Sequence, residues 1–253
     1  KYFNFFSIPL AKKEFYLKIH NDSKSKKYQI VDEFEKKYNF SINKEWFEEL
    51  ALNTQVVIKK SDINYQHGRL LYSLLMNYIS NQSKKLNYIQ IFETGTARGF
   101  SAICMAKALI DSRVNGNITT IDILPHTQKM LWNCIADCNG VSSRDEILNF
   151  WEKEKQNVTF LEGKSSEVIK RLNLKRIHFA FLDAHHVTRE VINEYKFVEN
   201  KQIKGDIIFF DDVTPSLYPG VVNAINIIKK SDIYSIEYIF LSSQRQYAIA
   251  RKK

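Results

Sequence analysis

The spacing of apolar residues changes character near residue 89. Between residues 41 and 80 they recur every three or four positions: Trp46, Phe47, Leu50 and Ala51, then Leu70, Leu71, Leu74, Leu75, Tyr78 and Ile79. That spacing predicts two helices, with Asn43 or Ser41 as a cap for the first. From Ile89 onward, short apolar runs alternate with stretches of helical period, as in a parallel sheet covered by helices on both faces. Strands are expected at Ile89–Glu93, Ile118–Ile123, Val158–Leu161, Ile177–Asp183 and Asp206–Asp211. Helices are expected after Gly99, over 126–138, within the charged insertion 141–156, and over 165–172, 188–200 and 218–230. The segments Tyr234–Leu241 and Gln244–Arg251, joined by SSQ, read as a hairpin.

Residues 1–40 show no clear period and are expected to be irregular, with 21–27 as an exposed linker. Phe3, Phe5, Phe6, Phe15 and Tyr16 are expected to pack on the core or on a second subunit. Arg69 and His67 are expected at the surface, and Trp46, Tyr65, Tyr218 and Trp151 are candidate pocket walls. The expected fold is α/β, a Rossmann-like, doubly wound, mostly parallel seven-stranded sheet with a C-terminal antiparallel hairpin and an N-terminal helical extension. The extension takes residues 1–85 and the sheet domain 86–253.

Composition narrows this little. A chain of 253 residues, 44% hydrophobic and 13% aromatic, has room for one large α/β domain. The net charge of +9 admits nucleic acid, an anionic membrane or a phosphorylated substrate. The lysines are scattered, however, and read as compositional bias. Of the three cysteines, Cys104 falls on an apolar helix face. Cys134 and Cys138 lack the partners of a zinc site. A reducing, cytoplasmic setting is therefore expected, with no leader peptide. No apolar run approaches the ~20 residues of a membrane span.

The chemistry is expected at strand ends, where open parallel sheets bind ligands. The stretch IQIFETGTARGFSAICMAKAL reads as strand, turn and helix, with Gly95 and Gly99 bracketing the turn. Its spacing is not the G-x-G-x-x-G of dinucleotide sites. The pattern E-x-G-x-x-x-G instead resembles motif I of class I S-adenosylmethionine (AdoMet) methyltransferases. Asp122 ends the second strand and could accept both ribose hydroxyls of a nucleoside, or cap the turn before Leu124-Pro125. Ser165 and Ser166 could meet an adenine or cap a helix. Asp183, Asp211 and Asp212 bring three carboxylates to two neighbouring tips. Such like charges repel, and a hard divalent cation held by oxygen would relieve them. The alternative has Asp183 lining the cleft while Asp211 and Asp212 turn a loop.

Taken together, ETGTARGFSAICMAKAL, Asp122, LEGKSSEVI, FLDAHH and IIFFDDVTP resemble, in order and spacing, the metal-dependent O-methyltransferases of the catechol O-methyltransferase superfamily. They are closest to the bacterial branch acting on antibiotic sugars, where motif I also begins ETG and continues RG. The resemblance spans about Ile89–Thr214. It implies AdoMet as cofactor. Glu93, Gly95 and Ser101 would contact its amino-acid part, with Thr96 and Gly99 in the same turn, Asp122 its ribose, and Ser165 and Ser166 its adenine. It implies a divalent cation, Mg²⁺ above others, on Asp183, Asp211 and Asp212, where the catechol enzymes carry Asn at the last position. The general base would be His185 or His186, which stand where the sugar branch has Asp and the catechol branch Lys. The acceptor would be a small-molecule hydroxyl on a sugar or other vicinal diol. Nucleic acid is not expected as partner, and a homodimer could form through the extension.

Two rival readings remain. One is a metal-independent N- or RNA methyltransferase, which the charge favours and FLDAHH, in place of an Asn/Asp-Pro-Pro-aromatic motif, disfavours. The other is a non-catalytic AdoMet-binding interaction module.

Overall fold

The computed structural model describes residues 7–82 and 87–253, so Phe3, Phe5 and Phe6 lie outside the described residues. Four helices come first: α1 (Lys13–Lys24), α2 (Gln29–Tyr38), α3 (Lys44–Thr54) and α4 (His67–Gln82). The side chain of Asn43 accepts from the Trp46 N–H and so caps α3. Residues 13–24 and 29–38 are therefore helical rather than irregular, and the expected linker falls largely inside α1. The period was obscured by polar residues on the inner faces. His20 of α1 is buried against Glu48 of α3 at 3.0 Å, and Glu35 of α2 is buried against Arg69 of α4. Arg69, also paired with Asp32, is thus tied into the extension. His67 is buried as well, between the rings of Phe100 and Phe181.

The sheet follows. Its strands are β1 (Ile89–Thr94), β2 (Gly116–Asp122), β3 (Val158–Glu162), β4 (Phe179–Leu182), β5 (Ile207–Phe210), β6 (Tyr234–Ser242) and β7 (Arg245–Lys252). Their order is β3-β2-β1-β4-β5-β7-β6. All pairings are parallel up to β5, and β7 pairs antiparallel with β5 and β6. The central strands read as unbroken apolar runs because both faces are covered. On one face lie α5 (Phe100–Ser112) and the N-terminal helices, joined in one core from Tyr16 and Leu50 through Ile103 to Phe209. On the other lie α9 (Thr188–Glu199) and α10 (Pro219–Lys230), burying Val191, Val198, Val221 and Ile225 against Phe92 and Phe210.

The remaining helices are short: α6 (Arg144–Ile147), α7 (Glu152–Lys155) and α8 (Ser165–Val168). The helix expected over 126–138 does not form. A 3-10 turn spans Ile135–Asn139, and Met130 bridges to Ser142. The carboxylate of Asp137 accepts from the Trp132 N–H at 2.8 Å and from the Cys134 N–H, and Asn133 takes a φ of 54°. These side-chain bonds compete with helical ones and win. Among the described residues no helix is long and apolar enough to cross a membrane.

Candidate active site

The tips of β1 and β4 meet so closely that only glycine fits between them. Gly95 has a φ of 91°, and a Cβ there would lie 2.4 Å from the carbonyl oxygen of Asp183. Beyond these tips opens a cavity of about 380 Å³. Its walls include Gly95 and Ala97 after β1, Asp122 at the end of β2, Gly163 and Ser165 after β3, and Asp183 and His185 after β4.

Asp122 organises the rim. One carboxylate oxygen accepts from the Ala97 N–H at 2.6 Å and the other from the Leu124 N–H at 2.7 Å. Each oxygen keeps a further lone pair for a ligand. Arg144, only 1% exposed, braces the same rim from behind. Its Nε donates to the Ala97 carbonyl at 2.7 Å and its Nη2 to the Leu124 carbonyl at 3.1 Å, while its guanidinium lies over Trp132 and Phe160. Burial lowers its pKa to about 10, against the pull of Asp122 and Glu93. Nothing in the sequence reading singled out Arg144; a lone arginine after a capping serine carries no motif.

Glu93, Thr96 and Ser101 lie one layer below the cavity. Glu93 is 0% exposed, and its two oxygens accept from the hydroxyls of Ser101 and Thr120. Thr120 in turn meets the Thr96 hydroxyl at 2.6 Å. Burial pushes the Glu93 pKa up to about 7, against the effect of the two hydroxyls. Gly99, at φ 91°, starts α5 and packs on Leu148, and Ser166 stands behind Ser165, half-buried.

At the other wall, Ser165 donates to Glu194 Oε1 at 2.5 Å, and Thr94 donates to Glu194 Oε2 at 2.9 Å. His185 Nε2 stands 3.1 Å from the Ser165 oxygen and 3.8 Å from Glu194 Oε1. Glu194 is a further site residue that sequence reasoning missed. The available signal was an acid on the buried stripe of α9, between Val191 and Val198.

The three aspartates do gather, but not as equals. Asp211 accepts from Arg245 Nη1 at 3.1 and 3.3 Å through its two oxygens, and Asp212 Oδ1 accepts from the same nitrogen at 3.0 Å. Asp212 Oδ2 meets His186 Nε2 at 2.9 Å, and the His186 ring stacks on Tyr218. The hydrogen bond that His186 donates to the Asp212 carboxylate raises the His186 pKa. No hydrogen bond or ion pair reaches the Asp183 carboxylate among the described residues; burial, then Asp211 and Asp212, push its pKa well up. Asp183, His186 and Asp212 each present a ligand atom within 4.8 Å of the others, a donor set that fits a divalent ion. Asp211 is not in that set. Of the candidate pocket walls, Tyr218 alone touches a site residue: Tyr65 bonds Glu48, Trp151 is in the core, and Trp46 lies by Lys107.

Residues 92–213 match the family model described as a methyltransferase domain. That segment is thus similar to a methyltransferase domain. Solved structures with the same fold include the O-methyltransferase TomG from Streptomyces achromogenes in complex with SAM. It matches at a TM-score of 0.60 and 14% identity, over 84% of this chain and 92% of that one. An O-methyltransferase from Bacillus cereus in complex with SAH matches at 0.54 and 14%, over 90% and 93%. The O-methyltransferase NovP matches at 0.55 and 12%, over 88% and 96%. At these identities the likeness is one of fold. No curated protein matches the chain in sequence. The turn after β1, Asp122 and the β4 tip surround a single cavity beyond the parallel part of the sheet, where such sheets bind ligands.

Proposed function

We propose that the domain transfers the AdoMet methyl group to a hydroxyl of a small molecule bearing vicinal oxygens, assisted by a divalent ion at the acidic tips. One observation carries this reading. Asp183 lines both the large cavity and a small second one shared with His186 and Asp212, so a donor site and an acidic site abut.

In this reading the Gly95 turn admits the cofactor's amino-acid end to the backbone, Asp122 holds the ribose, and Ser165 and Ser166 stand on the adenine side. Glu93, Thr96 and Ser101 hold the turn in place through their hydroxyl network. A divalent ion, when bound, supplies Lewis-acid stabilisation of the acceptor oxygen as it ionises. His185 takes the hydroxyl proton. It sits on the cavity wall, and Ser165 and Glu194 behind it hold the orientation of its ring. His186 holds Asp212 in place. Most of the acceleration would come from alignment of acceptor and methyl within this cavity.

Arg245 favours a second reading, in which transfer proceeds without an ion because a guanidinium already offsets two carboxylates. Calorimetry with AdoMet, followed by methyl transfer to a panel of catechols and free hexoses with and without EDTA, separates the two. Turnover lost to EDTA and regained with added divalent ion is expected. Turnover indifferent to EDTA would leave the second reading, and absence of AdoMet binding would end both.

A further inference from the structure

The acidic tips were expected to act as an all-oxygen site. The geometry points elsewhere: we infer that the divalent ion is held by Asp183, Asp212 and the imidazole of His186, with Asp211 withdrawn by Arg245, and that the site takes Mn²⁺ or a later first-row ion in preference to Mg²⁺. This rests on the metal-assisted reading above.

Three observations carry it. First, the ligand atoms of Asp183, His186 and Asp212 cluster within 4.8 Å, and His186 Nε2 lies 2.9 Å from Asp212 Oδ2. Adjacent ligands of an ion with bonds of about 2.1 Å stand roughly 3 Å apart, so this pair already has the spacing of two neighbouring ligands. Second, a cavity of about 10 Å³, lined by these side chains together with Asp211, His185 and Glu194, has room for one water-sized occupant. Third, both oxygens of Asp211 face the guanidinium of Arg245 and one also accepts from the Asp212 N–H at 2.6 Å, whereas Asp212 gives only Oδ1 to that guanidinium and turns Oδ2 to His186. An oxygen so engaged must break a charge-assisted bond before it can bind an ion.

The Asp183 carboxylate, with no hydrogen-bonding or ionic partner among the described residues, completes the set from β4. His186 is anchored at its far side by stacking on Tyr218 at 4.3 Å. Its backbone is pinned by α10, where a Cβ on Gly220 would lie 2.2 Å from the His186 carbonyl oxygen. The half-exposed ring is thereby held on one face and at its backbone beside the other two ligands. Two carboxylates and one imidazole make a mixed nitrogen–oxygen set. Imidazole suits the later transition ions, whereas Mg²⁺ prefers oxygen and near-ideal octahedral geometry.

The test is direct binding to the full chain, without AdoMet or acceptor. Free Mn²⁺ is followed by its six-line paramagnetic resonance signal, and bound Mn²⁺ by the nitrogen modulation of its pulsed spectrum. The wild type should bind one Mn²⁺ with ¹⁴N modulation, and Mg²⁺ should displace it only at large excess. His186→Asn should remove the modulation and weaken binding at least roughly tenfold, since loss of supporting residues alone costs that much. Asp211→Asn should retain both, with circular dichroism confirming the fold of each variant. Nitrogen-free bound Mn²⁺, or its loss in Asp211→Asn but not in His186→Asn, would overturn this ligand assignment while leaving metal assistance standing. No binding of any divalent ion at millimolar concentration would instead remove metal assistance itself.

Discussion

A single nitrogen of Arg245 reaches both oxygens of Asp211, at 3.1 and 3.3 Å, across the β5–β7 boundary of the sheet. The pair is largely shielded, with the Asp211 side chain 2% exposed and that of Arg245 22%. The charge of Asp211 is the main reason the Arg245 pKa is raised, so the guanidinium is charged at every working pH. Breaking such a pair leaves a buried carboxylate uncompensated, at a cost of about 3–5 kcal/mol. Arg245→Gln should therefore unfold at markedly lower temperature than the wild type. Millimolar Mn²⁺ should recover part of that loss, because the ion can replace the missing charge. Melting curves with and without Mn²⁺ check this; equal loss with and without the ion would show that the aspartates do not offer it a site.

Arg144 joins the two backbone segments that frame Asp122. Arg144→Lys keeps the charge but cannot reach Ala97 and Leu124 together with one ammonium. One buried carbonyl then lacks its donor, which costs about 1–3 kcal/mol. Since both carbonyls belong to cavity-lining residues, AdoMet affinity should fall along with stability. Calorimetry against the melting temperature checks the coupling. A variant that loses stability but binds AdoMet as before would confine Arg144 to a structural role.

Much of this architecture is legible in the chain because local and global signals agree there. The five apolar runs form the five parallel strands within a residue or two, and Asn43 caps α3 as read. Cys104 is buried on α5. What escaped is what depends on partners distant in sequence. In α1 and α2, His20 and Glu35 occupy inward positions that look solvated until Glu48 and Arg69 are brought to them. Over 126–138, Met130, Leu131 and Cys134 have helical spacing, yet Asp137 binds the backbone of Trp132 and Cys134 and holds the segment out of a helix. At the acidic tips the aspartates could be read, but not Arg245, which arrives from the last strand and alters which of them is free.

Gly95 leaves no room for a side chain. With φ at 91° and the Asp183 carbonyl oxygen 2.4 Å from the site of a Cβ, alanine must part the tips of β1 and β4. Asp183 would move with its backbone. Gly95→Ala should lower stability by about 1–3 kcal/mol from backbone strain alone. It should also abolish measurable AdoMet binding, since the same displacement distorts the cavity floor. A variant that melts lower yet binds AdoMet normally would mean that the turn does not contact the cofactor.

Glu93 gives the sheet a pH dependence of definite sign. Its ordinary value is 4.5 and its value in the folded protein about 7, because the charged form is desolvated more than the Ser101 and Thr120 hydroxyls can offset. Below pH 4.5 both folded and unfolded chains hold the proton, and the residue imposes no penalty. As pH rises, the unfolded chain ionises first while the folded one keeps its proton, so stability drains away until about pH 7 and then levels off. A gap of that width corresponds to on the order of 3 kcal/mol. Glu93→Gln cannot ionise, and its amide offers one acceptor and donors to hydroxyls that rotate to suit. Urea midpoints of the two proteins should thus nearly coincide below pH 4.5 and separate in favour of the variant at pH 8. Parallel curves would show that folding leaves the Glu93 pKa unshifted. Calorimetry on the same variant then asks whether that carboxylate touches the cofactor: if it acts only from beneath the turn, AdoMet binding survives the change.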